Sequence, residues 1–269
     1  MNRIAPNQEM LTRPAKLGEV MISPNSAHAV AVSELRSTMQ GPVITPSDDD
    51  YERRRKIWNG AIDLRPSIVA ACATVSDVQG AVNTARKHGL PVSVLVGGYG
   101  WAGQSLRDGG VVIDLSAMNQ VVVDPQSQTA IVEGGATAGD VVAAATEFGL
   151  TAVVGTMAKI GMAGFTLAGG YGPLTPHFGL GLDNLVAAEL VLPDGSYLSV
   201  SATENADLFW ALRPWVRCAV CSEGVRHHNG VGARRTCGDS CARVESERRS
   251  GCRAGAVLER RHPARKGNC

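Results

Sequence analysis

Hydrophobic and polar positions along this chain switch repeatedly between a helical period and a strand period, and the switches divide it into elements. Residues 32–39, VSELRSTM, predict a short helix stopped by Gly41 and Pro42. Residues 47–60, SDDDYERRRKIWNG, predict a second helix. Asp48–Asp50 stand at its positive end and Arg53–Lys56 further along, as the macrodipole favours, and the basic cluster reads as a solvated face. From Pro66 the pattern sharpens. SIVAACA is an apolar strand, and a helix then opens at Thr74–Asp77 with Ser76 as its N-cap and closes at Gly89. The strand PVSVLV, the glycine loop GGYGWAG, the turn SLRDGG and the strand VVIDLS follow.

The next part alternates differently. VVVDPQSQTAIVEGG predicts a hairpin turning at Asp124–Ser127, and Ala138–Phe148 predicts a helix ended by Gly149. NLVAAELVLPDGSYLSVS predicts a second hairpin, turning at Pro193–Gly195, and ENADLFWALR a short amphipathic helix. Nineteen of the 31 glycines lie between Gly97 and Gly195, where strands end and backbone must come close to something. Residues 1–49 are loosely patterned and read as an N-terminal extension.

Composition changes the picture at one point. Hydrophobic residues make up 44% and charged residues 19%, which excludes a disordered chain. No apolar run is long enough to span a membrane, and the N-terminus lacks a secretory apolar core, so the expectation is a cytoplasmic protein with no membrane partner. The net charge of +1 argues against a nucleic-acid binder. That average hides a break. Residues 1–213 hold 14 Lys and Arg against 20 Asp and Glu, whereas residues 214–269 hold 12 against 5. Six of the seven cysteines also fall in the last stretch.

Two segments carry candidate chemistry. Gly98–Gly103 fits G-x-G-x-x-G after a strand, but a dinucleotide fold needs a helix before the next strand, and only SLRDGG intervenes. The remaining readings are a structural turn, or a tight turn whose bare N–H groups make a nest for an anion such as a diphosphate. Residues 153–172, VVGTMAKIGMAGFTLAGGYG, carry irregular glycines and one charge, Lys159. They read either as a glycine-rich core turn or as backbone folded against a flat apolar ligand.

Together these segments resemble a known family. WNGAIDLRPSIVAACATVSDVQGAV, KHGLPVSVLVGGYGWAG, LRDGGVVIDLSAMNQVVVD, AIVEGGAT, GMAGFTLAGGYG, FGLGLDNLVAAELVLPDGSYLSVS and ENADLFWALR, in that order from Trp58 to Arg213, are similar to the FAD-linked oxidases with a PCMH-type FAD-binding domain. The branch is the one that contains berberine bridge enzyme and 6-hydroxy-D-nicotine oxidase. The resemblance implies an α+β fold of the vanillyl-alcohol-oxidase type over residues 50–213, with subdomains at about 50–118 and 119–213 and FAD in the cleft between them. It implies that Val96, Gly97, Gly98, Tyr99, Gly100 and Trp101 contact the FAD diphosphate. It implies a second contact at Thr156, Gly161, Gly164, Thr166, Gly169, Gly170 and Tyr171. The chemistry implied is oxidation of an alcohol, amine or C–H substrate by hydride transfer to flavin, with molecular oxygen as acceptor.

The sequence also departs from that family. Many relatives carry R-G-G-G-H in the first loop, with the histidine bonded to the flavin; here Leu95 stands at the arginine and Tyr99 at the histidine. Met157 stands where bicovalent members place a cysteine. The cofactor expectation is therefore FAD held non-covalently. No residue receives a catalytic role. His177 is the histidine nearest the second loop, Asp183–Asn184 reads as a backbone-fixing pair, and Cys72 as a buried thiol.

After Arg213 the family pattern stops, and with it the expected substrate domain. Two readings are open for residues 214–269. One is a small zinc module from Cys218, Cys221, Cys237 and Cys241 with His227 and His228. The other is a shifted reading frame that leaves an irregular Arg- and Cys-rich tail, and this is the expectation carried forward. Residues 223–232, EGVRHHNGVG, can be encoded so that a one-base shift reads KVFGIITALE, which resembles the family's N-F-G strand. The functional expectations are an FAD-dependent oxidoreductase incomplete as given, a non-catalytic FAD-binding fragment, or a nonfunctional product. Sequencing the gene across this region checks the frame: the neighbouring frame after residue 213 is expected to stay open and encode an apolar-patterned domain, and early stop codons there remove the idea.

Overall fold

The structure, a computed structural model, describes residues 24–213, 252–257 and 259–260. The first sheet has the order β1-β2-β4-β3, from Val43–Ile44, Ile68–Ala71, Val111–Asp114 and Val92–Leu95. β2, β4 and β3 run parallel, and β1 closes the edge antiparallel to β2. A parallel sheet is covered on both faces, which is why SIVAACA reads as an unbroken apolar run. Ile68 and Ala70 face a core shared with helices α1 (Pro24–Thr38) and α3 (Val75–Lys87). Val69 and Ala71 face the opposite way, toward Tyr51, Leu95 and Leu106. Cys72 is fully buried, and that burial pushes its thiol pKa up.

Helix α3 buries Val78, Ala81, Val82 and Ala85, the i, i+3, i+4, i+7 stripe of an amphipathic helix. Its N-cap is Thr74 rather than Ser76: Thr74 is extended and its hydroxyl accepts from the Asp77 amide at 3.2 Å. Asp77 turns inward and is 1% exposed. Its carboxylate accepts from the amides of Gln40 (2.8 Å), Ala73 (2.9 Å) and Gly41 (3.1 Å). Burial favours the neutral acid, but these donors outweigh it and hold the carboxyl below its ordinary value. The helix expected over residues 47–60 is a single turn, α2 (Tyr51–Arg54). The chain leaves it because the Trp58 amide is taken by the Gly98 carbonyl at 3.1 Å.

The second sheet is antiparallel, in the order β5-β6-β10-β8-β9. β5 (Val121–Asp124) and β6 (Thr129–Val132) form the first expected hairpin, β8 (Leu185–Val191) and β9 (Tyr197–Ser201) the second. Helix α4 (Ala138–Thr146) opens with a Thr137–Asp140 capping box and packs Val141 and Ala145 on Ala130 and Val132. Strand β7 (Leu150–Thr151), helices α5 (Met162–Leu167) and α6 (Thr175–Phe178) and a 3-10 turn at Gly181–Asn184 lead into β8. Helix α7 (Ala206–Leu212) caps the β8–β9 side through Phe209.

The two sheets meet directly. Val191, at the end of β8, is buried in the first sheet's core. At the β8–β9 turn the Gly195 carbonyl accepts from Gln79 Nε2 of α3 at 2.7 Å. Gly195 has φ +84°, a conformation strained for a residue with a side chain, and lies against the Asn83 side chain.

The expectation of an irregular tail is corrected at two places. β10 (Cys252–Val257) lies between β6 and β8, and β11 (Glu259–Arg260) pairs with β7. The backbone groups of β6 and β8 have no partner in each other, and the ladder is completed by these residues. The cysteines and histidines of the proposed zinc module lie outside the described residues.

Replacing Asp77 by Ala removes the acceptor of three amides and is expected to cost about 2–3 kcal/mol in chemical denaturation. Because the folded pKa is depressed, the Asp77 contribution is present above the ordinary carboxyl value of 3.8 and fades as pH falls below it. The variant is accordingly expected to differ from wild type at pH 7 and to approach it in strong acid.

Candidate functional site

The first loop leaves β3 at Leu95, which pairs with Asp114 across the ladder. Asp114 is buried and accepts from Arg54 Nη1 at 2.9 Å and from the Ser116 amide at 2.9 Å. Arg54 also bonds Asp50 at 3.0 Å. Burial works against its charge, yet the two carboxylates raise its pKa above the ordinary guanidinium value. The basic cluster was expected to be a solvated face; Arg54 instead anchors the strand end from which the loop departs.

Beyond Leu95 the backbone turns through Gly98, at φ +67°, with the Ile57 side chain 3.1 Å from where a Cβ would stand. The loop is held from outside. Trp58 donates its amide to Gly98, and Asn59 Nδ2 donates to the Trp101 carbonyl at 2.9 Å. The Trp58 ring stacks on Tyr99 at 6.2 Å and meets Trp101 at 5.8 Å. The amides of Val96, Gly97, Gly98, Tyr99, Gly100 and Trp101 donate to no acceptor among the described residues. The loop thus carries a run of unbonded amides while its Gly98 and Trp101 carbonyls are taken by Trp58 and Asn59.

The second loop reaches the first at Gly161. A Cβ on Gly97 would lie 2.6 Å from the Gly161 nitrogen and 2.6 Å from the Lys159 carbonyl oxygen. A Cβ on Gly161 would lie 2.4 Å from Val96 Cγ1 and 2.8 Å from the Gly97 nitrogen. These two glycines therefore allow the close approach of one loop to the other. The Ala136–Gly139 segment fixes the second loop from behind: Met162 donates to Ala136, Ala138 to Ile160 and Gly139 to Ala158, at 2.8–2.9 Å.

Gly164 differs. It is exposed, and a Cβ there meets nothing within 4 Å. Thr156 and Met157 are exposed, and Thr166 is half-buried. Gly169 and Gly170, at φ +102° and +77°, carry the chain around Phe165, whose ring lies against Gly155, Gly170 and Gly181. Tyr171 is left 77% exposed and Trp101 75% exposed. The structure thus joins Val96 and Gly97 to Gly161, groups Tyr99 with Trp101, and ties Gly169–Tyr171 to the rest through Phe165 and Gly181. Asp183 accepts from the Leu180 amide and Asn184 donates to the Phe178 and Leu180 carbonyls, so this pair fixes backbone. His177 is exposed on α6 with its ring 6.1 Å from Phe178. Sequence reasoning missed Trp58 and Asn59 as props of the loop; the turn signal Asn59-Gly60 beside a tryptophan was the available cue.

A sequence family described as an FAD binding domain matches residues 66–201, which takes in both loops. The chain belongs to this family. (R)-6-Hydroxynicotine oxidase of Paenarthrobacter nicotinovorans is 41% identical over 176 residues, covering 65% of this chain and 38% of that protein. The crystal structure of 6-hydroxy-D-nicotine oxidase from Arthrobacter nicotinovorans superposes with a TM-score of 0.68 at 33% identity, over 83% of this chain and 43% of that one. A berberine-bridge-enzyme-like protein from Physcomitrella patens shares the fold, with a TM-score of 0.68 at 24% identity over 88% of this chain and 44% of that one. The expected PCMH-type α+β architecture is thereby established. The chain spans about two fifths of the length of these relatives. No group of side chains among the described residues could hold a metal ion, and no helix among them is long and apolar enough to cross a membrane.

Gly161→Ala is expected to lower stability by about 2 kcal/mol or more, because the Val96 side chain and the Gly97 amide nitrogen stand where the methyl would go. Gly164→Ala is expected to be neutral or slightly stabilising, since it adds helix propensity in open space. Thermal melts of the two variants side by side check the contrast.

Proposed function

We propose that this chain binds FAD non-covalently across the two joined glycine loops and is the cofactor-holding part of an FAD-dependent oxidoreductase. The observation that carries the reading is the run of unbonded amides at Val96–Trp101, set against Gly161 in a chain of the FAD-binding family. The amides of the first loop would take the diphosphate. Lys159, whose carbonyl abuts Gly97 and whose ammonium makes no ion pair among the described residues, would supply the cation that Leu95 does not. Gly164, open on its free side, would admit the cofactor to α5, with Thr156, Thr166, Gly169, Gly170 and Tyr171 along the same loop. Tyr99 would pack rather than bond covalently: its ring is already stacked on Trp58. Met157 offers a thioether, which makes no covalent link.

When bound, FAD supplies a two-electron acceptor that takes a hydride from an alcohol, amine or C–H substrate and returns electrons to oxygen. The residues named here bind and orient it; none of them is a base for the substrate, and the catalytic cycle would draw on residues outside the matched region. A second reading, a non-catalytic FAD-binding fragment, is favoured by the span of about two fifths of the relatives.

Titration of the purified chain with FAD is expected to quench flavin fluorescence and perturb its visible bands. After acid precipitation the flavin should stay in the supernatant; flavin in the pellet would overturn the non-covalent assignment, and no spectral change at all would overturn FAD binding. Lys159→Ala is expected to weaken binding by about fivefold at low salt and by less at high salt, as a screened ion pair requires. Peroxide release across alcohols and amines separates the oxidoreductase from the silent fragment.

A further inference from the structure

The segment before the first loop carries an ion pair for which the proposed binding of FAD gives no role. Arg54 Nη1 donates to Asp114 Oδ2 at 2.9 Å, and the Asp114 side chain is 3% exposed. A buried carboxylate needs partners, and Arg54 and the Ser116 amide supply them. Stability alone is a weak reason for such a pair, because packed apolar side chains of similar volume serve as well. The place of the pair in the fold gives a stronger one.

From Asp114 a line of main-chain contacts reaches both loops. The next residue, Leu115, donates its amide to the Leu95 carbonyl at 2.9 Å, where the first loop begins. The Leu115 carbonyl lies where a Cβ on Gly135 would stand, and the Gly135 amide donates to the Met118 carbonyl at 2.8 Å. Ala136 then accepts from Met162 at 2.9 Å, which seats the second loop, and Gly161 meets Gly97. The line returns through the Gly98 carbonyl to the Trp58 amide, on the segment that carries Arg54. These links form a closed circuit, and Arg54–Asp114 is the joint in it made by two opposite charges.

We infer that Arg54 is a positioning residue for the cofactor: its bond to Asp114 fixes the spacing of the two loops at which the amides of Val96–Trp101 hold the diphosphate. Arg54 does this without touching the anion, because its Nε and Nη1 are engaged by Asp50 and Asp114. The inference rests on the FAD reading above.

The test is titration of the full chain with FAD and with ADP, at low and high salt, beside thermal melts. Arg54→Met is expected to weaken both ligands about tenfold, as loss of a coupling contact does. The loss should be equal at the two salt concentrations, whereas that of Lys159→Ala shrinks at high salt. Arg54→Lys keeps the charge but not the fork, and should recover about half of the lost affinity on a logarithmic scale. Adding Asp114→Asn to Arg54→Met should cost little more, since both changes open one joint. Asp50→Ala breaks the other ion pair of Arg54 outside the circuit, and should change affinity by less than about twofold. If Arg54→Met does not fold, Asp114→Asn and Arg54→Lys decide. Wild-type binding with unchanged affinity in the variants overturns the inference and leaves the FAD reading standing. A loss confined to low salt makes Arg54 a direct phosphate contact, and a loss that follows the unfolded fraction at the assay temperature makes it merely structural; either overturns the inference. Wild-type chain that binds neither ligand overturns the FAD reading and the inference with it.

Discussion

The approach of Gly97 to Gly161, backbone against backbone, is the contact on which the rest of the site depends. It joins a loop that ends a parallel strand to a loop that belongs to an antiparallel unit. A Cβ on Gly97 would strike main chain, and one on Gly161 would strike the β-branched Val96 side chain and the Gly97 amide nitrogen. Once the two loops touch, the amides from Val96 to Trp101 have no carbonyl left to serve among the described residues. The close packing and the unbonded amides therefore fall on the same short loop, the packing on Gly97 and the amides on Val96 to Trp101.

Around that contact the protein spends polar groups on fixing main chain. Asp114 and Arg54 lock the end of β4 beside Leu95, Asn59 and Trp58 hold the loop from outside, and Thr137–Asp140 starts the helix behind Gly161. Each is a satisfied partner of backbone or of another charge, so the site's own amides are what remains unsatisfied. The first loop thus presents N–H groups rather than side-chain charge. That is consistent with a loop in which Leu95 and Tyr99 stand at positions where many relatives carry charge and a covalent anchor.

Much of this was legible in the sequence. The parallel strands announced themselves as short apolar runs, both hairpins by their turns, and the two loops by glycine at strand ends. What failed did so for identifiable reasons. The long helix expected at residues 47–60 has favourable charges, but a tertiary bond from Trp58 to Gly98 outbids propensity after one turn. Thr74 caps α3 because Asp77 is drawn inward by the amides of Gln40 and Gly41 as well as by that of nearby Ala73, and the distant pair is not revealed by local pattern. Gly97 and Gly161 each leave room for the other, a long-range approach that local pattern does not reveal. β10 was illegible because CRAGAV has no strand signal; its place is set by the vacancy between two hairpins.

Strand β8 has one further property. Leu185, Ala188 and Leu190 lie in the core of the second sheet, while Val191, one residue on, is buried in that of the first, and the turn after it rests on Gln79 and Asn83 of α3. The strand is thus a rod clamped in both halves of the molecule, and α3 is its fulcrum. A substitution at the Gly195 turn would therefore loosen the packing of both halves at once, because one strand carries core residues of each.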